Sequence, residues 1–123
     1  YGFKNVFSPV NQGELGVKIS QIKIVLSFNS QNNQPYCWSD RLHLMIGSGA
    51  FCISEYIEGI DTIYSQDKDC VFYYAKDNLL DLIEFWLNNK SIERNRIRKQ
   101  GYQTAHQNYS YNKQVGKFVN SLN

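Results

Sequence analysis

Strands alternating with helices predict an α/β fold, a Rossmann-like parallel sheet with helices on both faces. Three observations carry that expectation. Residues 22–28 read Ile-Lys-Ile-Val-Leu-Ser-Phe, β-branched and almost all apolar, as in a central strand covered on both sides. Residues 50–54 and 70–74 repeat that character. Between and after them the apolar spacing switches to three and four. It is clearest where Leu79, Leu82, Ile83, Trp86 and Leu87 line one side and Asp81, Glu84 and Asn88 the other.

Taken in order, residues 3–7 alternate as a short strand that Ser8-Pro9 stops, because proline cannot donate to a ladder. Leu15, Ile19 and Ile22 mark a short helix over residues 13–21, weakened by Gly16. After the strand at 22–28, the polar stretch 29–34 and Pro35 predict a loop at its carboxyl end, where open α/β sheets bind ligands. Ser39 or Asp40 is expected to cap a helix reaching Ser48, with Leu42, Met45 and Ile46 buried and Gly49 supplying the left-handed stop. The strand at 50–54 is followed by a turn at Glu58-Gly59 and a brief helix over 60–64. The strand at 70–74 leads to the striped helix, with Asp77 as its expected cap. Ser91 is expected to cap a helix to about residue 107, and Val115, Phe118, Val119 and Leu122 mark a last one.

The 123 residues suit one domain, and at that length roughly two thirds of the unfolded surface can be buried. With 42% hydrophobic and 20% charged residues the chain has a globular composition rather than a disordered one. Thirteen basic against eleven acidic side chains leave +2, too little for the clustered footprint of a nucleic-acid binder. Cys37, Cys52 and Cys70 are odd in number without CxxC spacing, so neither a disulfide framework nor a zinc site is expected, and a reduced, cytoplasmic setting is. No apolar run reaches the length of a membrane span, and no charged-then-apolar leader opens the sequence. The opening at Tyr1 inside a strand-like stretch reads as a piece of a longer chain.

The loop before Asp40-Arg41 is expected to leave unpaired N–H groups facing the crevice, an arrangement suited to a diphosphate. Arg41 in the first turn opposes the helix dipole, so it either answers a bound anion or pairs with Asp40, Glu55 or Glu58. His43 and His106 read as packed or surface side chains, and no nucleophile motif stands nearby. Arg94, Arg96, Arg98 and Lys99 wrap around their helix as a solvated surface, and the tyrosines and phenylalanines read as packing.

Residues 39–51, Ser-Asp-Arg-Leu-His-Leu-Met-Ile-Gly-Ser-Gly-Ala-Phe, resemble the Arg-led helix and Gly-Ala-Phe turn of CgeB-like, group-1 type glycosyltransferases. Residues 55–64, 77–87 and 93–102 resemble that family's following segments in order, and Tyr109-Ser110-Tyr111 stands where it has His-Thr-Tyr. The resemblance implies a GT-B architecture of two Rossmann-like halves. Residues 1–123 would be one partial C-terminal donor-binding domain, and the acceptor-binding N-terminal half would lie outside it. It implies a nucleotide-sugar donor, a glycan or related acceptor, no cofactor, no metal, and no activity in the isolated piece. It puts the diphosphate on the backbone at Ser39, Asp40 and Arg41, with Arg41 neutralising the leaving group, and Glu58, Gly59 and Asp61 at the sugar end. It assigns no catalytic residue. Where many relatives carry two glutamates eight positions apart, Tyr36 and Leu44 stand here, and leucine cannot accept from a ribose hydroxyl. A non-catalytic Rossmann-like module that binds nucleotide or protein is the alternative.

Overall fold

A computed structural model of the chain describes residues 9–29 and 33–122; the strand expected at residues 3–7 lies outside them. The fold is α/β, with three parallel strands, β1 (Val25–Ser27), β2 (Cys52–Glu55) and β3 (Val71–Tyr73), in that spatial order. Leu26 lies opposite Ile53, and Ile53 opposite Val71. Around them run α1 (Gln12–Ser20), α2 (Arg41–Gly47), a 3-10 turn (Ile60–Thr62), α3 (Leu79–Leu87), α4 (Ser91–Asn108) and α5 (Tyr111–Ser121). Each strand pairs over a shorter span than its apolar run. Ile22 and Phe28, at the ends of the first run, are about half exposed, at 48% and 52%.

The two-residue period of the strands sorts their side chains onto two faces. On one, Cys52, Cys70 and Phe72 pack with Leu42 and Ile46 of α2, Ile60, Tyr64 and Ala105. On the other, Ile53, Val71 and Tyr73 pack with Phe51, Trp86 of α3 and Ile97 of α4. A smaller cluster joins Ile19 of α1 to Val25 and Ala50. Burial holds the Cys70 thiol well above its ordinary range and pushes that of Cys52 up to about 12, so both serve as small apolar groups.

The caps differ from the expectation in an instructive way. Asn78, not Asp77, caps α3, its side-chain oxygen accepting from Leu80 N–H at 3.1 Å and Asp81 N–H at 3.5 Å. The Asp77 carboxylate instead accepts from Tyr74 N–H at 2.7 Å and closes the turn out of β3. Ser91 is the first helical residue of α4, Lys90 holds the cap position, and no side chain caps that end. Gly49 takes the left-handed conformation predicted for it, with φ 79°.

Helix α4 is a strap across the amino-terminal end of the sheet. Ile97 near its start belongs to one apolar layer and Ala105 near its end to the other. Between them Gly101 lies against the carbonyl of Asp69, just before β3, and a Cβ there would collide with that oxygen and stand 3.1 Å from Ile46. The buried Asp69 carboxylate accepts from Ser65 N–H at 2.8 Å and Thr104 Oγ1 at 2.6 Å. His106 Nε2 donates to the Gly47 carbonyl at 2.8 Å, satisfying an acceptor at the end of α2.

Arg94 corrects the expectation of a wholly solvated basic run. It is buried, and its Nη1 donates to the carbonyls of both Trp86 and Leu87 at the end of α3. Arg96 donates to the Asp67 carbonyl at 3.1 Å, and Lys99 is exposed as expected. Helix α5 buries none of its side chains among the described residues; its Val115, Phe118 and Val119, and Leu122 just after it, are exposed.

Candidate functional site

In a parallel sheet every connection from strand to helix leaves at the carboxyl edge, so the loop after β1 and the turn after β2 emerge side by side. Here they interlock. Tyr36 N–H donates to the Glu58 carbonyl at 2.9 Å, and the Tyr36 ring covers Gly59. Gly59 has φ 94°, and a Cβ there would collide with the ring, so both the dihedral and the space demand glycine. Tyr36 itself is held at φ 59°, a conformation that few bulky residues adopt without support. Farther along the loop, Ser39 N–H donates to Asn29 Oδ1 at 3.0 Å, and Asn29 N–H reaches Glu55 Oε2 at 3.5 Å.

Of the two expected caps for α2, Ser39 acts and Asp40 does not. Ser39 Oγ accepts from both the Arg41 N–H at 3.3 Å and Arg41 Nε at 3.1 Å, while Asp40 is already helical at φ −56°, ψ −20° and makes no capping bond. The predicted row of unpaired amides is therefore narrower than expected. The N–H groups of Ser39 and Arg41 are engaged by side-chain oxygens, and among the described residues that of Asp40 is the one of the three without a partner. Arg41 forms no ion pair with Asp40, Glu55 or Glu58 among the described residues. Its Nε donates to Ser39 Oγ, and the side chain as a whole is exposed.

The sugar-end candidates divide. Glu58 and Gly59 meet the loop through Tyr36, whereas Asp61 accepts from Tyr56 OH at 3.4 Å one step farther along the edge. Burial, then the nearby Asp61 carboxylate, raises the Tyr56 phenol above its ordinary range, so it stays a donor to that carboxylate. The Tyr56 ring lies against Tyr74, centroids 4.8 Å apart. Asp40, Glu58 and Asp61 are exposed carboxylates, and Arg41 is an exposed cation, on the segments that follow β1 and β2. Such an edge accepts hydroxyl donors at several points and an anion at one.

A feature invisible to spacing ties the loop down. The Trp38 indole N–H donates to His43 Nε2 at 3.2 Å, and His43 Nδ1 lies 2.9 Å from the hydroxyl of buried Tyr64. Of the packed or surface positions expected for it, His43 takes a half-buried one, with both ring nitrogens engaged. Desolvation lowers its pKa, and the Asp40 charge partly opposes that. Beside it lie two adjoining cavities. One of about 340 Å³ runs along α2 past Leu44, Tyr64 and His106; the other, about 580 Å³, opens toward Asp40, Ile63 and Lys117, and both touch His43, Tyr109 and Tyr111. Leu44, 45% exposed, gives the first cavity an apolar wall.

Among the described residues no three His, Cys, Asp or Glu side chains gather as a metal site, and no helix is long and apolar enough to cross a membrane. No curated protein matches the chain. Residues 4–120 match the model of a protein family described as glycosyl transferase-like.

Proposed function

Because the chain belongs to the glycosyl transferase-like family, we propose that its carboxyl-edge site holds a nucleotide-sugar donor, from which a sugar passes to a glycan or related acceptor. The acceptor side would come from a further half in a GT-B arrangement, as in the CgeB-like, group-1 type enzymes that the sequence resembles. The observation that carries the reading is the interlock of residues 36–41 with Glu58 and Gly59 at the strand ends, with an exposed Arg41 held at its Nε by Ser39.

The roles follow from charge. Breaking the bond between sugar and diphosphate builds negative charge on the leaving phosphate oxygen. The terminal nitrogens of Arg41 meet that charge in a paired geometry, with the Asp40 N–H beside them and Ser39 holding Nε in place. Glu58 and Asp61 repel phosphate and accept from sugar hydroxyls, and Gly59 leaves room for the Tyr36 ring. The donor is substrate rather than cofactor, and the roles assigned here use no metal. The three free cysteines support a cytoplasmic setting.

One observation favours a second reading. Leu44 presents an apolar, half-exposed side chain where a ribose-binding glutamate is expected, which suits a module that binds nucleotide or protein without chemistry. Titrating the whole protein with UDP-glucose, GDP-mannose, ADP-glucose and dTDP-rhamnose while following donor consumption separates the two. Binding with release of nucleoside diphosphate supports transfer. Tight binding without consumption of any donor leaves the module, and no binding by any of them removes the nucleotide-sugar site.

A further inference from the structure

An indole nitrogen can only donate, so the 3.2 Å contact from Trp38 Nε1 requires a bare Nε2 on His43. The imidazole is then neutral, with its proton on Nδ1 and directed at the Tyr64 oxygen 2.9 Å away. Tyr64 is buried among Leu42, Ile46, Phe72 and their neighbours, so it is a fixed post. A relay therefore runs from the core through α2 to the middle of the loop. Trp38 lies between the two other ties of that loop, Tyr36 to Glu58 and Ser39 to Asn29. Directly after it comes the Ser39 hydroxyl that orients Arg41.

We propose that His43 is a positioning residue for donor binding: its unprotonated Nε2, by holding Trp38, sets the loop conformation in which Ser39 aims Arg41. The inference rests on the donor-binding reading above and names the side chain that keeps that site in shape. Protonating His43 would place two N–H donors face to face and release the indole. Burial of the ring works against that proton, and Asp40 works for it. Tyr64, Tyr109, Tyr111, Lys117 and His106 are the other titratable groups around the two cavities that the ring borders.

Three variants test it in the whole protein. Trp38→Phe cuts the tie and leaves the bond to Tyr64 intact. His43→Phe removes both bonds, and His43→Gln restores an acceptor. Donor affinity, measured with whichever nucleotide-sugar binds the wild type, should fall about tenfold in Trp38→Phe and in His43→Phe, as expected for losing one ordering hydrogen bond. The double variant should be no worse, and His43→Gln should stay within about threefold of wild type. On acidification wild-type affinity should drop with the protonation of His43, followed through the Trp38 indole ¹⁵N–¹H resonance, and His43→Gln should lack that step. A merely structural histidine would lower thermal stability in His43→Phe and leave affinity per folded molecule unchanged in Trp38→Phe, which overturns the proposal. If the wild type binds no donor, the donor reading falls by itself, and the backbone amide resonances of residues 36–41 decide. Shifts in both Phe variants support the tie, and unchanged amides overturn it.

Discussion

The two ends of the sheet are built on opposite plans. At the amino-terminal end α4 is pressed against the strands. Gly101 sits on a carbonyl with no room for a methyl group, Asp69 is buried with two hydrogen bonds, and Arg94 reaches inward to the end of α3. At the carboxyl-terminal end a few hydrogen bonds and aromatic ring contacts hold the loop, and Tyr36, Asp40, Arg41, Glu58 and Asp61 are all exposed. The difference shows a division of labour. One end holds the layers together by close packing, and the other holds a loop by a few directed bonds, which leaves its charged groups available to a ligand.

The sharpest way to break that comparison is at Gly101. Gly101→Val forces α4 off Asp69 and Ile46 and should cost about 3 kcal/mol or more, read as a shift of the denaturant midpoint. A loss of that size with donor affinity per folded molecule intact would confirm that the two ends work separately. Asp69→Ala strips the partner from the Ser65 N–H and the Thr104 hydroxyl and should cost about 2 kcal/mol in the same measurement. At the other end Arg41→Ala should lower nucleotide-sugar affinity by about 30-fold, equivalent to about 2 kcal/mol, with thermal stability unchanged within about 0.5 kcal/mol. A large loss of stability in that variant would mean that the carboxyl edge is structural after all.

Two smaller effects sharpen the contrast. Because burial depresses the His43 pKa, the neutral ring's contribution to stability is present above the unfolded value near 6.5 and is lost as pH falls through the lowered folded value. Thermal midpoints of wild type and His43→Gln should therefore diverge below neutral pH and run parallel above it. Thiol labelling at pH 8 should modify exposed Cys37 quickly and reach Cys52 and Cys70 only when denaturant opens the layers.

Much of the architecture was legible in residue order, because apolar periodicity is a local property and burial enforces it. Most of the α3 stripe and the strands expected at 50–54 and 70–74 land near where their patterns predict, with Leu87 exposed at the helix end and Cys70 just before β3. What misled was chemistry shared between neighbours. Asp77 and Asn78 are both good caps, and only the turn out of β3 decides which oxygen goes to the helix. Arg94 looks like its neighbours in a basic run, and only the position of the α3 carbonyls makes it an inner residue. Of the candidate site, the loop and its position at the strand ends could be read. The serine cap that occupies the Arg41 amide could be named only as one of two choices. The Trp38–His43–Tyr64 relay joins residues 21 apart on its longer limb through side-chain directions that spacing does not encode.

The ring of Tyr36 over Gly59 has an evolutionary corollary. While the Tyr36 ring stays in place residue 59 has no room for a Cβ, so a library that randomises residue 59 alone should return glycine. One that randomises 36 and 59 together should recover a second class of survivors, pairing a small residue at 36 with a left-handed-tolerant asparagine or aspartate at 59.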